Sequence, residues 1–439
     1  MNLVYGVKDK PKFGQMLVFA FQQILAILAA TIAVPSIIGN GMSQSAALFG
    51  AGVGTLVYQL FTKRNSPVFL GSSFAFIGSM FAAFGGAAST AAGYAGLIIG
   101  AGFAGLVYVI IALVVKVAGV NWINKLMPPV VIGPTVAIIG LSLAGNAVGD
   151  LTTGRVAGCS PYVALICGLV TLFAVIFFSV YGKKMAKLIP FILGILAGYV
   201  VAAIFTAIGI ATGNAALQVI DFSVFANMGI VSLPDFTFMM AAKGLSDIDG
   251  AFIATVAVAY IPVAFVVFAE HIADHKNLSS IIGSDLLANP GLHNTLLGDG
   301  IGSFVGAIFG GCPNTTYGES VGCVAITRNA SVATITTTAI LCMLISFFDP
   351  FVTFLASIPN CVMGGVCITL YGFIAVSGLK MIQQVNLSAS KNLFVAAVIL
   401  ICGIGGLSLT FGKVTLTSIA CALILGILVN VMVSKAKED

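Results

Sequence analysis

Residues 313–319 read Pro-Asn-Thr-Thr-Tyr-Gly-Glu, and residues 67–74 read Pro-Val-Phe-Leu-Gly-Ser-Ser-Phe. Both stretches begin with Pro and carry Gly or hydroxyl residues where an unbroken helix would carry strong helix formers. Each stretch alone fits the ordinary tolerance of membrane helices for Pro and Gly. Short interrupted segments at corresponding positions of two halves, however, point to the binding site of a transporter. The pair therefore predicts two related halves with a site where they meet.

The composition of the chain places it in a membrane. Of the 439 residues, 59% are hydrophobic and only 8% are charged, whereas about 25% of the residues in soluble domains are charged. The apolar stretches run unbroken for about 20 residues instead of alternating over about 10, which excludes a β-barrel. The chain is therefore predicted to be an all-α polytopic membrane protein.

Fourteen apolar segments are long enough to be transmembrane segments. They run over about 14–34, 44–61, 67–84, 92–115, 127–146, 161–181, 188–210, 250–271, 294–311, 313–327, 331–348, 350–378, 392–410 and 415–433. We number them as spans 1 to 14, so the two opening stretches fall in spans 3 and 10.

The positive charges test the orientation, because cytoplasmic loops hold the excess of Lys and Arg. With the N-terminus inside, every basic residue except Arg155, Lys243 and Lys413 falls on the cytoplasmic side. The cytoplasmic set is Lys8, Lys10, Lys12, Lys63, Arg64, Lys116, Lys125, Lys183, Lys184, Lys187, Lys276, Arg328, Lys380, Lys391, Lys435 and Lys437. This distribution predicts a multi-pass protein of the cell membrane with both termini in the cytoplasm.

A second pair of similar stretches supports two halves. Residues 127–133 read Met-Pro-Pro-Val-Val-Ile-Gly and residues 358–364 read Ile-Pro-Asn-Cys-Val-Met-Gly. The same offset pairs Pro128 with Pro359, and each stretch begins the fifth span of its half. Because seven spans are an odd number, the halves would be inverted with respect to the membrane. The prediction is a 7+7 inverted repeat with short strands in the interrupted spans 3 and 10.

Several other classes of protein are disfavoured. The basic residues form no run that would suit nucleic acid, and the nine cysteines are scattered without a CxxC pair, which fits neither a disulfide framework nor a zinc site. Residues 271–275 imitate a zinc-protease motif, but Asp274 replaces its Glu and no third ligand is apparent. The glycines of 100–105 and the ladder Gly302, Gly306, Gly310 indicate helix packing and no nucleotide site. We therefore predict no metal, no cofactor and no enzymatic activity.

Two of the three glutamates lie in apolar segments. Glu270 ends the apolar run 251–269, Glu319 lies in span 10, and Glu438 lies in the tail. An ionisable residue at the bilayer centre costs roughly 2.5–3.5 kcal/mol on insertion scales and usually serves a function. Burial disfavours the charged form of a carboxyl group, so such groups suit proton binding near neutral pH. The alternative is that each simply bridges helices.

Asp274 follows Glu270 by four residues and therefore shares its helical face. A proton could pass between the two carboxylates toward the cytoplasm. His271 and His275 lie about a quarter-turn away, and we interpret them as residues of the membrane interface.

The combined motifs closely resemble the nucleobase/ascorbate transporter family, in particular its uracil branch. The family signature has Gln, Glu or Pro, then Asn, any residue, Gly, four residues, Thr and a basic residue; residues 319–328 here read Glu-Ser-Val-Gly-Cys-Val-Ala-Ile-Thr-Arg. The other matching stretches are 71–76, 269–272, 285–287, 289–293 and 313–319. The resemblance covers essentially the whole chain.

The resemblance implies two intertwined domains. Residues 1–118 and 245–348 would form a core domain of spans 1–4 and 8–11, while 119–244 and 349–439 would form a gate domain of spans 5–7 and 12–14. Such proteins are commonly dimeric. Glu270 and Glu319 would hydrogen-bond a pyrimidine ring, and the backbone at Phe74 and Gly318 would line the site, with the Phe74 ring also available.

The implied function is proton-coupled symport of uracil into the cell. The proton would be carried by Glu319, Glu270 and Asp274.

Two departures from the family pattern affect the expected proton relay and substrate specificity. Asp274 stands where a uracil permease has a histidine implicated in proton coupling, and Ser320 replaces the signature Asn. Xanthine or another nucleobase is an alternative substrate. An anion exchanger or channel of similar architecture is a further alternative, but an anion pathway should show a basic residue near spans 3 and 10, and the sequence has none there.

Overall fold

The computed structural model describes residues 3–119, 122, 127–183, 185–226, 228–411 and 414–434. Within these ranges the protein is mostly helical. The helices and strands up to residue 282 are α1 (Phe13–Ile38), α2 (Gln44–Phe61), β1 (Leu70–Ser72), α3 (Ile77–Gly85), α4 (Thr90–Ala118), α5 (Pro129–Ser142), α6 (Ala144–Asp150), α7 (Pro161–Tyr181), α8 (Met185–Leu188), α9 (Pro190–Thr212), α10 (Thr237–Ala241) and α11 (Gly250–Ile282).

The remaining elements continue from residue 292. They are α12 (Leu292–Gly310), β2 (Asn314–Thr316), α13 (Gly318–Thr327), α14 (Val332–Ile345), α15 (Asp349–Ser357), α16 (Asn360–Ile382), α17 (Ser390–Ile404), β3 (Leu409–Phe411), β4 (Val414–Leu416) and α18 (Ser418–Val433). Five basic residues of the orientation argument and one glutamate lie outside the described residues, namely Lys125, Lys184, Lys413, Lys435, Lys437 and Glu438.

Local chemistry accounts for many helix ends. The side chains of Ser43, Ser89 and Ser331 accept hydrogen bonds from first-turn N–H groups of α2, α4 and α14, as expected of N-caps. Pro occupies the first position of α5, α7 and α9, where its missing N–H costs nothing. Gly213 and Gly283 end α9 and α11 with positive φ, as is typical of helix C-termini.

Seven helices of the described chain are long and apolar enough to cross a membrane. They are Phe13–Ile38, Thr90–Ala118, Pro129–Asp150, Pro161–Tyr181, Pro190–Thr212, Gly250–Ile282 and Asn360–Ile382. Four shorter apolar helices cover Phe74–Gly85, Val332–Ile345, Ser390–Ile404 and Ser418–Val433. The chain is thus a multi-helix, membrane-type protein, and the predicted count of fourteen spans stays a prediction.

Several predicted boundaries were wrong. Segment 350–378 is two helices, α15 and α16, because Pro359 interrupts the helical backbone and caps α16. Segment 250–271 continues to Ile282, since its C-terminal end is polar and hydropathy alone could not detect it. Segments 392–410 and 415–433 were predicted too long at the ends that face each other, because β3 (Leu409–Phe411) and β4 (Val414–Leu416) pair antiparallel there.

The strands predicted in spans 3 and 10 are present. β1 and β2 pair antiparallel, with Leu70 opposite Thr316, Gly71 opposite Thr315 and Ser72 opposite Asn314. All six residues are buried. Each strand passes directly into a helical segment, the 3₁₀ turn Phe74–Phe76 followed by α3 in one case and α13 in the other.

The predicted glycine ladder packs α12 against α2. A Cβ added to Gly302 would lie 2.6 Å from the carbonyl oxygen of Gly54, and one added to Gly310 would lie 2.7 Å from the Cα of Ala47. Such distances leave no room for a side chain. The prediction that these glycines serve helix packing is confirmed. Their close approach joins α2 and α12, the two helices that pack against β1 and β2.

We predict that Gly302→Ala destabilises the protein. The new methyl group would collide with the backbone of α2, and overpacking of this kind costs about 1–3 kcal/mol. Thermal unfolding of purified protein in detergent measures the effect. Gly372→Ala is the matched control, because a Cβ there meets no atom within 4 Å; equal melting temperatures for the two variants would contradict the packing argument.

Candidate functional site

A cavity of about 420 Å³ lies inside the helical assembly. One wall comes from β1, the turn that follows it, α11, β2 and the start of α13. The other wall comes from α5, α9 and α16. The cavity therefore lies between the elements assigned by resemblance to the core and those assigned to the gate.

All five residues singled out from the sequence line this one cavity. They are Phe74, Glu270, Asp274, Gly318 and Glu319. They come from three separate regions of the chain, the turn after β1, α11 and the start of α13. The structure therefore brings the two glutamates to a common space in the interior.

The β1–β2 pair holds the two chain interruptions together. Beyond the register pairs, Ser73 donates its N–H to the carbonyl of Pro313 (2.9 Å), and Tyr317 donates its N–H to the carbonyl of Phe69 (3.2 Å). Thr55 of α2 accepts a hydrogen bond from the N–H of Leu70 at 2.9 Å. These bonds give the strand backbone partners in an apolar interior, where an unpaired group is costly.

Tyr317 locks the two strands from the side. Its hydroxyl donates to the carbonyl oxygen of Ser72 at 2.9 Å, and its ring packs directly on Gly71. A Cβ at Gly71 would collide with that ring. Glycine at position 71 is therefore required by a close approach, which explains one of the unusual residues in the opening sequence pattern.

Two helical segments start at the cavity. The turn Phe74–Phe76 and helix α13 each follow a strand, and neither start receives a side-chain cap from the described residues. The first N–H groups of a helix have no partner within it, and the macrodipole makes this end partly positive. Phe74 and Gly318 therefore bring backbone donors to the cavity wall.

Three carboxyl groups, those of Glu270, Asp274 and Glu319, line the same cavity. Glu270 is exposed to the cavity, while Asp274 and Glu319 are half-buried. The hydroxyl of Thr316 donates to Asp274 Oδ2 at 2.7 Å, which ties α11 to β2. None of the lining residues, which all belong to the described chain, is Lys or Arg. The site thus combines acidic acceptors with backbone donors.

The interpretation of His271 and His275 as interface residues was wrong. Both side chains are fully buried. His271 Nδ1 lies 2.6 Å from Asp299 Oδ2, and His275 Nε2 lies 2.7 Å from the hydroxyl of Tyr58. The helical spacing placed them correctly a quarter-turn from Glu270, but only the packing of α2 and α12 could show that this side faces protein.

Sequence reasoning missed two further groups. Asp299 lies in the apolar α12 and is buried, a charge-in-membrane signal that could have been read as the glutamates were. The apolar wall formed by α5, α9 and α16, which includes Val136, Phe191 and Phe373, carried no signal, because ordinary apolar helix residues look alike in sequence. Ser320 does not line the cavity; it is buried and accepts a hydrogen bond from Gln23 of α1.

Comparison with known proteins gives consistent results. A family model described as a permease family matches residues 14–412. A uracil permease of Bacillus caldolyticus is 39% identical over 432 residues, which are 98% of this chain and 94% of that protein. The uracil permease of Escherichia coli K12 is 32% identical over 425 residues, 96% of this chain and 92% of its own.

Solved structures share the fold at low sequence identity. The transmembrane domain of a cyanobacterium bicarbonate transporter aligns with a TM-score of 0.65 at 17% identity, covering 97% of this chain and 100% of that one. The murine Solute Carrier 26 family member A9 anion transporter, in its inward-facing state, aligns with a TM-score of 0.64 at 12% identity, covering 97% and 69%. At these identities the likeness describes the fold alone.

Proposed function

Because the chain belongs to this permease family, we propose that it carries uracil into the cell across the cell membrane, in symport with protons. It is a transporter and not an enzyme. One observation carries the proposal: two carboxylates and two uncapped helix starts line a single internal cavity.

The cavity complements the edge of a pyrimidine base. Uracil is neutral near pH 7 and presents alternating N–H donors and carbonyl acceptors. Glu270 and Glu319 can accept from the N–H groups, while backbone N–H groups at Phe74 and Gly318 can donate to the carbonyls. The half-buried ring of Phe74 offers a flat surface for stacking.

The charge of the wall disfavours an anion as cargo. Three carboxyl groups line the cavity, and its described lining residues include no cation. An anion would meet like charges there, which is unfavourable in a medium of low dielectric constant. The shared fold with anion transporters therefore does not extend to the chemistry of this site.

The choice between uracil and another base depends on finer contacts. Ser320, which departs from the family signature, is fully buried and bonded to Gln23 behind the cavity wall. The Ser at position 320, in place of the family's Asn, would then affect the choice of base through the position of α13 and Glu319. This arrangement supports keeping the pyrimidine assignment, with xanthine as the alternative.

Proton coupling is assigned to the three carboxyl groups of the cavity. A proton on Glu319, or shared with Glu270, lowers the cost of enclosing the occupied site, and Asp274 relays it toward the cytoplasm. One charge moved through 100 mV is worth about 2.3 kcal/mol, and a factor of ten corresponds to about 1.4 kcal/mol. One proton per uracil therefore supports accumulation by tens of fold.

The movement that carries the substrate is proposed to occur between core and gate. The 7+7 inverted repeat of fourteen spans is supported by β1 and β2, and by Pro128 and Pro359, which stand at the N-caps of α5 and α16. The core comprises residues 1–118 and 245–348, and the gate comprises 119–244 and 349–439. A homodimer in the cell membrane with cytoplasmic termini completes the proposal.

The function is tested by uptake of radiolabelled uracil into proteoliposomes with an imposed pH gradient, acid outside. We expect accumulation that a protonophore abolishes and that unlabelled uracil competes. Unlabelled xanthine, thymine, cytosine and bicarbonate serve as competitors. Stronger competition by xanthine than by uracil would overturn the substrate assignment, and competition by bicarbonate would favour the anion alternative.

We predict that Glu270→Gln and Glu319→Gln each abolish concentrative uracil uptake without unfolding the protein. The amide keeps the size of the side chain but removes the acceptor charge and the titratable proton. Uptake in proteoliposomes and elution in size-exclusion chromatography are the two measurements. Glu438→Gln controls for loss of a glutamate; full, protonophore-insensitive accumulation by both site variants would contradict the coupling mechanism.

Asp274→Asn is predicted to disturb coupling more than binding. The variant retains a group that can bond Thr316 but cannot relay a proton, so the pH dependence of uptake should flatten while the Kd for uracil changes little. Thr316→Val is the companion variant and should shift the pH profile with Asp274 still present. A pH profile identical to that of the wild type in both variants would remove Asp274 from the relay.

A further inference from the structure

The buried side of α11 is connected to its neighbours by a chain of polar side chains. His271 contacts Asp299 of α12 through Nδ1 and lies 3.0 Å from Thr295 Oγ1 through Nε2. The two imidazole rings stack with centroids 4.0 Å apart. His275 then reaches Tyr58 of α2. These contacts join α11 to the scaffold formed by α2 and α12.

The hydrogen-bond partners determine the proton positions on His275. Its Nδ1 lies 2.8 Å from the carbonyl oxygen of His271, and because a carbonyl only accepts, Nδ1 carries the proton. In the neutral ring Nε2 carries no proton, and it lies 2.7 Å from the hydroxyl of Tyr58, which also lies 2.8 Å from Ser66 Oγ. The two ring nitrogens of His275 therefore have different partners, and the bond from Nδ1 has a defined direction.

Burial by itself does not distinguish one rotation of α11 from another near the site. The four consecutive residues 266–269 are all buried, and since successive residues are 100° apart on a helix, they cover its whole circumference. A rotation of one residue would exchange Glu270 for His271 and Asp274 for His275 at the cavity. Hydrogen bonds from His271 and His275 to fixed partners would break on such a rotation, so they oppose it.

We propose that His271 with Asp299, and His275 with Tyr58, form a positioning network that fixes the rotation of α11 and so aims Glu270 and Asp274 into the cavity. None of the four lines the cavity, so they act through the two carboxylates. Buried ionic pairs are often no more stabilising than apolar residues of similar volume, and their best-attested role is to set register. The expected effect on uracil binding rests on the proposed function. The expected effect on the rotation of α11 does not.

The decisive variant replaces the hydrogen-bonded pair of His271 and Asp299 by apolar residues. His271→Leu combined with Asp299→Ala keeps nearly the same total volume and leaves no buried charge. We expect a folded protein whose Kd for uracil rises about tenfold, equivalent to about 1.4 kcal/mol. His271→Asn, whose amide can still donate to Asp299, should retain most of the affinity. His293→Leu, on α12 and outside the cavity lining, is the matched control.

A second readout follows the rotation without any substrate. Ala273 lies on the cavity face of α11 and is exposed, so Ala273→Cys should react readily with a small methanethiosulfonate reagent. We expect its labelling rate to fall several-fold in the Leu/Ala background and to stay unchanged in the His293→Leu background. Labelling is compared with the same backgrounds lacking the added cysteine, which accounts for the native thiols.

The outcomes separate the two proposals. Wild-type affinity and wild-type labelling in the Leu/Ala variant would overturn the positioning network. A changed labelling rate in a chain that neither binds nor accumulates uracil would support the network and refute the proposed function. If the double variant does not fold, Tyr58→Phe decides by the same two measurements, because it removes only the hydroxyl that orients His275; unchanged labelling there would also overturn the proposal.

Discussion

The β1–β2 pair is the constraint on which the rest of the structure depends. Backbone N–H and carbonyl groups need partners inside a membrane-type protein, and these three-residue strands, far apart in sequence, supply them to each other. Because each strand leads directly into a helical start, their pairing brings Phe74 and Gly318 to one point. The cavity exists because two chain interruptions meet there instead of two continuous helices.

The electrostatics of the site follow from that meeting. Two helix starts carry partial positive charge, and the carboxyl groups of Glu270 and Glu319 face the same space. A ligand that donates and accepts hydrogen bonds along one planar edge satisfies both kinds of group. A neutral nucleobase has this pattern.

Helix α11 connects this chemistry to the scaffold. One face presents Glu270 and Asp274 to the cavity, and the neighbouring face presents His271 and His275 to α2 and α12. We propose that this network helps to fix the rotation of α11, because hydrogen bonds are directional and turning the helix would break them.

The sequence by itself determined the membrane class, the two interrupted segments and the candidates Glu270, Asp274 and Glu319, because apolar length, Pro and Gly positions and acidic residues within apolar segments are local features. The family resemblance added Phe74 and Gly318. Residues 44–61 and 161–181 form helices with the predicted limits. The split at Pro359, the strands β3 and β4, the apolar wall formed by α5, α9 and α16 and the partners of His271 and His275 were decided only by tertiary structure. The physical reason is that burial and hydrogen-bond direction depend on which distant helix packs alongside, and residue types along one helix do not specify that neighbour.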